Sequence, residues 1–386
     1  MWKYMLSRVV QIIVTLFVFF ALTYFILDAQ PGDISLQYIT NPKFTPEMRE
    51  ALKRSLGLDR PVIERYFRWM GNTLSGNLGL SYEEKRPVTE IIGERAPRTL
   101  FLFGTALIIE FLIGYWLGKI LAWSRGSAVE YGVTVVGAIS YTIFTPWLAL
   151  LMIWLFSFTL KWLPIGKFLD PQVWMRLPKD VNINSNTIFN ALLLTATAVV
   201  GAVTLVYMLT AKMNKVKATR LRIELSIVIV AIAIGAWVTY KYGYLAADIF
   251  KHMVLPIVVL VLVNFAGNML LTRTTMMETM REDYILAARA KGISERDVRD
   301  KHAARNAFLP VFTSMILTIP FIIGGGIITE TVFSWPGMGM ALLHATTIGD
   351  IPMIMGAFLF IGIFSLLAHF AADVAYAFLD PRIRYA

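Results

Sequence analysis

The chain contains no cysteine, which excludes a disulfide, a thiolate metal site and a cysteine nucleophile together. It is also poor in charge: Asp, Glu, Lys and Arg make up 16% of its residues, against roughly 25% in a soluble domain. Its histidines, His252, His302, His344 and His369, are scattered without metal-ligand spacing. No Gly-x-x-x-x-Gly-Lys-[Ser/Thr] phosphate loop occurs. Gly118-Lys119 and Gly166-Lys167 lack both the preceding glycine and the following hydroxyl residue. No nucleophile–base set stands out. The sequence therefore reads as a non-enzyme that carries no cofactor or metal and cannot hydrolyse ATP alone.

What is present is hydrocarbon. The 386 residues are 57% hydrophobic, with a mean hydropathy of +0.62. Eight apolar segments read as spanning helices: Val9–Leu27, Thr99–Trp123, Val133–Leu160, Ile188–Ala211, Ile223–Tyr240, Met253–Arg273, Leu309–Thr329 and Met353–Leu379. Each approaches or exceeds the ~20 residues that cross a bilayer core. The expected fold class is all-α, a polytopic transmembrane helical bundle with about eight spans and a small external helical segment. The formal charge of +10 lies in short stretches flanking apolar runs, not on a basic face with interleaved aromatics, so nucleic acid is not an expected partner.

Short-loop Lys and Arg set the orientation. Lys3 and Arg8 place the N-terminus in the cytoplasm, and Arg382 and Arg384 do the same for the C-terminus. Arg125, the Lys212–Arg222 loop and the Arg273–Arg305 stretch are then inside as well. The first apolar run ends in Phe25-Ile26-Leu27-Asp28 with no small-x-small cleavage pattern, so it reads as an uncleaved anchor. The chain divides into 1–27, a cytoplasmic leader and first span; 28–98, an external helical cap; and 99–386, the transmembrane domain.

In the cap, Thr45-Pro46-Glu47 has the form of a helix start and Gly57 that of a stop. A second helix begins near Pro61, with Val62, Ile63, Tyr66, Phe67 and Met70 on one face. This segment is too short for a core of its own and is expected to pack on the membrane domain.

The most informative stretch is the cytoplasmic loop at 275–307. Gly292 stops a first short helix that runs through Tyr284, and Ser294 caps a second, with Asp297 at its third position. Alanines at 287, 288 and 290 leave room for close approach by another surface, and Arg289 and Lys291 give that surface a cationic edge. Pro310 is expected to start the next span. The bare alternative is an amphipathic loop lying on the bilayer surface.

The pattern Tyr-x-x-x-Ala-Arg-Ala-Lys-Gly, then His-x-x-x-Asn, then Leu-Pro resembles the EAA loop of ABC importer permeases of the dipeptide/oligopeptide branch. It departs at Leu286, where the founding motif has glutamate. The resemblance implies that Tyr284, Ala287, Ala288, Arg289, Ala290, Lys291 and Gly292 form a coupling helix docking on a cytoplasmic ATPase subunit. His302, Asn306 and Pro310 would hold the second half of the loop. Pro31-Gly32-Asp33, Leu56–Pro61, Gly76–Ser81, Pro97–Leu100, Glu330–Gly339 and Leu379–Ile383 are similar to further family segments.

The resemblance covers about three quarters of the chain and leaves out an inserted helix pair at about 167–248. It implies an inner-membrane permease subunit with several partners: a homologous permease, two cytoplasmic ATPase subunits that bind the ATP, an external solute-binding protein, and lipid. The solutes it suggests are di- or oligopeptides, with oligosaccharides or nickel as alternatives within the family. A secondary transporter or channel is the rival class, but no repeat and few buried charges favour it.

Within the spans, Glu110 reads either as a pathway-lining acid or as a hydrogen-bonded group between packed helices. Asn264 and Asn268, one turn apart, read either as pathway residues or as glue between helices.

Overall fold

The computed structural model describes residues 2–29, 60–177, 183–211 and 213–379. The expected first cap helix at 45–57 and the C-terminal basic residues lie outside them. Among the described residues every extended element is helical, apart from one isolated bridge between Leu80 and Pro87. The chain forms two compact units, Met1–Leu148 with Val259–Ala386, and Ala149–Val258.

Among the described residues six helices are long and apolar enough to cross a membrane: Leu6–Asp28, Val88–Trp123, Ser185–Leu209, Lys217–Thr239, Gly243–Thr279 and Ile351–Val374. The third expected span is not one straight helix. Ala128–Thr142 and Thr145–Thr159 meet at 103°, because Pro146 cannot donate to the carbonyl of Thr142 and Ile143 is extended (φ −63°, ψ 132°). A further helix, Ala304–Gly325, has 22 residues, roughly 33 Å at 1.5 Å per residue. With the bent pair taken as one span the described residues hold up to seven candidate crossings, roughly consistent with the eight that the sequence suggests.

In the first unit, α1 (Trp2–Asp28) and α2 (Val62–Leu74) share an aromatic core with the C-terminal helix Ile351–Leu379, built from Phe20, Tyr24, Tyr66, Met70, Met355 and Leu359. Arg65 pairs with Asp28 at 2.8 Å. The described cap helix, Val62–Leu74, therefore packs on these membrane helices. Only half of its expected apolar face is used, since Ile63 and Phe67 stay exposed while Tyr66 and Met70 are buried. Gly71 lies inside this helix.

The first turns of α3 (Val88–Trp123) pack Val88, Ile91 and Ile92 against Met338, Leu342, Met353 and Ala357. Asp350 accepts hydrogen bonds from the Ser81 hydroxyl and the Glu83 amide, pinning the turn that precedes α3.

The second unit contains the inserted pair. Asn184 caps Ser185–Leu209 by accepting from the Thr187 amide at 2.8 Å. This helix packs against Lys215–Thr239, with the Trp237 indole donating to the Thr195 hydroxyl at 3.3 Å. Asp248 is buried and accepts from the Asp170 amide and the Trp174 indole, both at 2.9 Å, so it fastens the preceding connection.

Candidate functional site

The 275–307 loop is built on a floor of mostly small side chains. Ile285 and Ala288 point inward onto Ala122, Met276, Val298, Ala303, Ala304 and Ala307. The helix Asp283–Ala290 is only eight residues long, too short to persist alone, and this burial holds it. It ends because Gly292 takes a left-handed φ of +73°, a conformation that costs other L-residues roughly 1–2 kcal/mol. Ser294 then accepts from the Asp297 amide at 3.3 Å, as the spacing predicts.

A consequence of the inward register is that the expected surface divides. Tyr284, Ala287, Arg289, Ala290, Lys291 and Gly292 are exposed, together with Leu286. Ala288 faces the core and serves as footing. The Tyr284 hydroxyl accepts from the Asn306 amide at 2.7 Å, joining the two halves of the loop. His302 is half-buried in a π-helical turn, Val298–Ala303. Pro310 lies inside Ala304–Gly325 and does not start it; the π turn delivers the chain into that helix six residues earlier than the proline suggests.

Charge braces the same loop from below. Arg299 grips Asp300 with two hydrogen bonds of 2.9 Å, and Lys119 approaches it at 3.1 Å. These two cations hold the Asp300 carboxyl well below its usual range, the Arg299 hydrogen bond being the largest cause. The Tyr115 hydroxyl donates to the Ala304 carbonyl at 3.1 Å. Arg289 and Glu295 pair across the Gly292 turn at 3.2 Å, and exposed pairs of this kind contribute little to stability.

The polar residues of the spans meet at a seam between α3 and the second half of Gly243–Thr279. Glu110 is buried and hydrogen-bonded to the Asn264 side chain, while Asn264 also donates to the Leu260 carbonyl at 2.9 Å. Asn264 keeps an exposed edge. Asn268 packs its Cβ where a side chain on Gly114 would sit, 2.6 Å away. One turn on, a Cβ at Gly118 would stand 2.4 Å from the Met269 carbonyl oxygen and 2.5 Å from Thr272. Gly114-Tyr115-Trp116-Leu117-Gly118 is thus a close-packing motif, and its spacing was legible in the sequence as Gly-x-x-x-Gly.

On the opposite side of the unit, the stretch Glu330–Gly339 folds around one carboxylate. Glu330 is fully buried. It accepts from the Thr99 hydroxyl at 2.7 Å and from the backbone amides of Met340, at 2.8 Å, and Gly339. Burial pushes this carboxyl up, and those three donors oppose the rise. A Cβ at Gly337 would lie 2.2 Å from a Glu330 oxygen, so only glycine fits. Trp335, in the same turn, is also fully buried. Among the described residues no group of histidines and acids could hold a metal.

Comparison with known proteins gives a consistent result. The family described as "Binding-protein-dependent transport system inner membrane component" matches residues 224–385. Its N-terminal companion, "Binding-prot-dependent transport system membrane comp, N-term", matches residues 1–103. A Brucella suis biovar 1 protein named as a peptide permease is 32% identical over 386 residues, covering 100% of this chain and 99% of its own. The oligopeptide transport system permease protein AppB of Bacillus subtilis is 29% identical over 386 residues, covering 100% of both chains. The di/tripeptide transport system permease protein DppB of Pseudomonas aeruginosa is 29% identical over 385 residues, covering 100% of this chain and 99% of its own.

Proposed function

The chain belongs to the binding-protein-dependent transport system inner membrane components, and from that premise we propose that it forms half of the membrane path of a peptide importer. The names of AppB and DppB support peptides, rather than sugars or nickel, as the solute. As a multi-pass membrane protein with both termini in the cytoplasm, it pairs with a homologous permease. Two ATPase subunits bind and hydrolyse the nucleotide, and a solute-binding protein delivers peptide from outside.

One observation carries the mechanism. The helix Asp283–Ala290 stands on a buried footing and presents Ala287, Arg289, Ala290, Lys291 and Gly292 outward. Small side chains admit a partner surface closely, and the Arg289 and Lys291 cations favour an acidic rim on it. Tyr284–Asn306 and the Arg299–Asp300–Lys119 cluster stiffen the loop, so a push on the helix is passed to Ala304–Gly325 rather than absorbed. Closure of the ATPase pair thereby switches the path between outward- and inward-facing states, a rigid-body rearrangement about an interface. The exposed edge of Asn264, with Glu110 behind it, borders that path.

The absence of native cysteine makes a direct test clean. Ala287→Cys provides the single thiol of the chain, and it should cross-link to an ATPase subunit in the assembled importer. A membrane-impermeant maleimide added to intact cells should leave it unlabelled. Labelling from outside, or assembly without any cross-link, would overturn the assignment.

A further inference from the structure

The second unit contains a pocket lined by neither the coupling loop nor the polar seam. Leu192 and Val199 from Ser185–Leu209, Val230 and Ile234 from Lys215–Thr239, and Ala246 and Phe250 from the start of Gly243–Thr279 line an open-sided slot of about 500 Å³. That lies within the ~300–1,000 Å³ of ligand pockets. Two of its polar lining groups are already engaged. The Trp237 indole donates to the Thr195 hydroxyl at 3.3 Å, and that hydroxyl donates to the Ala191 carbonyl at 2.7 Å. A guest meets a largely hydrocarbon wall, and water has little to hold it there, since apolar cavities stay dry.

Position and charge identify the guest. Ser185–Leu209 and Lys217–Thr239 bury only 6% and 0% of their apolar windows within the chain, so hydrocarbon supplies their surroundings. From Val230 to Val238 the cavity wall runs roughly 12 Å, most of one ~15 Å leaflet. Its end is the turn Tyr240–Tyr242, which joins two of the walls and carries an exposed Lys241 with its ammonium 5.5 Å from the Tyr242 ring. An ammonium flanked by tyrosines at the mouth of a leaflet-deep apolar slot matches a phosphate above a hydrocarbon chain.

We propose that this cavity holds one acyl chain of a phospholipid from the leaflet beside Lys241, with the lipid phosphate paired to the Lys241 ammonium. This assignment does not depend on which solute the importer carries.

The test uses the full-length chain extracted in mild detergent and examined by native mass spectrometry, then delipidated and titrated with phosphatidylglycerol or diacylglycerol. One phospholipid should survive extraction. Ala233→Trp, which fills the cavity, should lower its occupancy at least tenfold, whereas Ile232→Trp, outside the lining, should leave it unchanged. Ala196→Phe fills the cavity from the opposite wall and serves if Ala233→Trp does not fold. Lys241→Gln should weaken phosphatidylglycerol binding about threefold or more and leave diacylglycerol binding unaltered. Undiminished retention by a folded, filled variant overturns the proposal. So does equal affinity of the wild type for the two lipids, or a retained molecule that lacks a phosphate.

Discussion

Gly118 and Gly235 sit in helices of nearly equal apolarity, yet their surroundings are opposite. Val88–Trp123 buries 33% of its apolar window in the chain, and Lys217–Thr239 buries none. A Cβ at Gly118 would collide with a neighbouring backbone, while one at Gly235 would meet nothing within 4 Å. Hydropathy reports that a helix dissolves in lipid. It says nothing of whether protein or lipid lies against each face, because in a bilayer both are equally greasy. The seam around Gly114 and Gly118 is specified by shape, and the inserted pair by solubility.

The sharpest way to break this contrast is substitution at the two glycines. Gly118→Leu should destabilise the protein by about 3 kcal/mol or prevent its accumulation, since overpacking of a fixed seam has nowhere to relax. Gly235→Leu should stay within about 0.5 kcal/mol of the parent. Thermal unfolding in detergent, followed by tryptophan fluorescence, reads both. Equal effects would mean that the inserted pair is packed by partners as tightly as the seam is packed internally.

The contrast extends to transport. Ala287→Trp should reduce labelled tripeptide uptake at least tenfold, about 1.4 kcal/mol in rate, without moving the melting temperature. Ile232→Trp, equally exposed in the second unit, should leave uptake intact. A smaller effect is expected from Tyr284→Phe, which removes the bond from Asn306 and should cost about 1 kcal/mol of stability.

Smallest is the response to acid. The Asp300 carboxyl is depressed by Arg299 and Lys119, so its stabilising contribution is present above its unfolded pKa of about 3.9 and is lost as pH falls from there towards the folded value. Between pH 6 and pH 3.5 the parent should therefore lose more melting temperature than Asp300→Asn. Parallel losses would show that this cluster does not brace the loop.

Much of this was legible in the chain before its folding was known. The spans follow from apolar length, and the loop from Gly292, Ser294 and the alanine spacing. The left-handed φ at Gly292 and the Ser294 cap are where local chemistry alone puts them. What escaped was tertiary. Nothing in the spacing of Ala287, Ala288 and Ala290 says which of them looks inward, because that depends on Ala122 and Met276, far off in sequence. Pro146 breaks the apolar run at Ile143, whereas Pro310 starts nothing, since a π turn upstream lets its helix begin before it. The Lys119–Asp300 contact joins residues 181 positions apart, beyond the reach of any periodicity.

Glu330 carries a last consequence. Its two oxygens face a hydroxyl and two backbone amides, every one of which donates. Glutamine has the same size and shape, but its carbonyl oxygen alone must then serve the backbone amides, while its NH₂ faces the Thr99 hydroxyl and forces that hydroxyl to accept where it now donates. At this position an exchange that leaves volume untouched still reverses a hydrogen bond, so the Trp335–Gly337 turn is keyed to the direction of its hydrogen bonds as well as to the space at its centre.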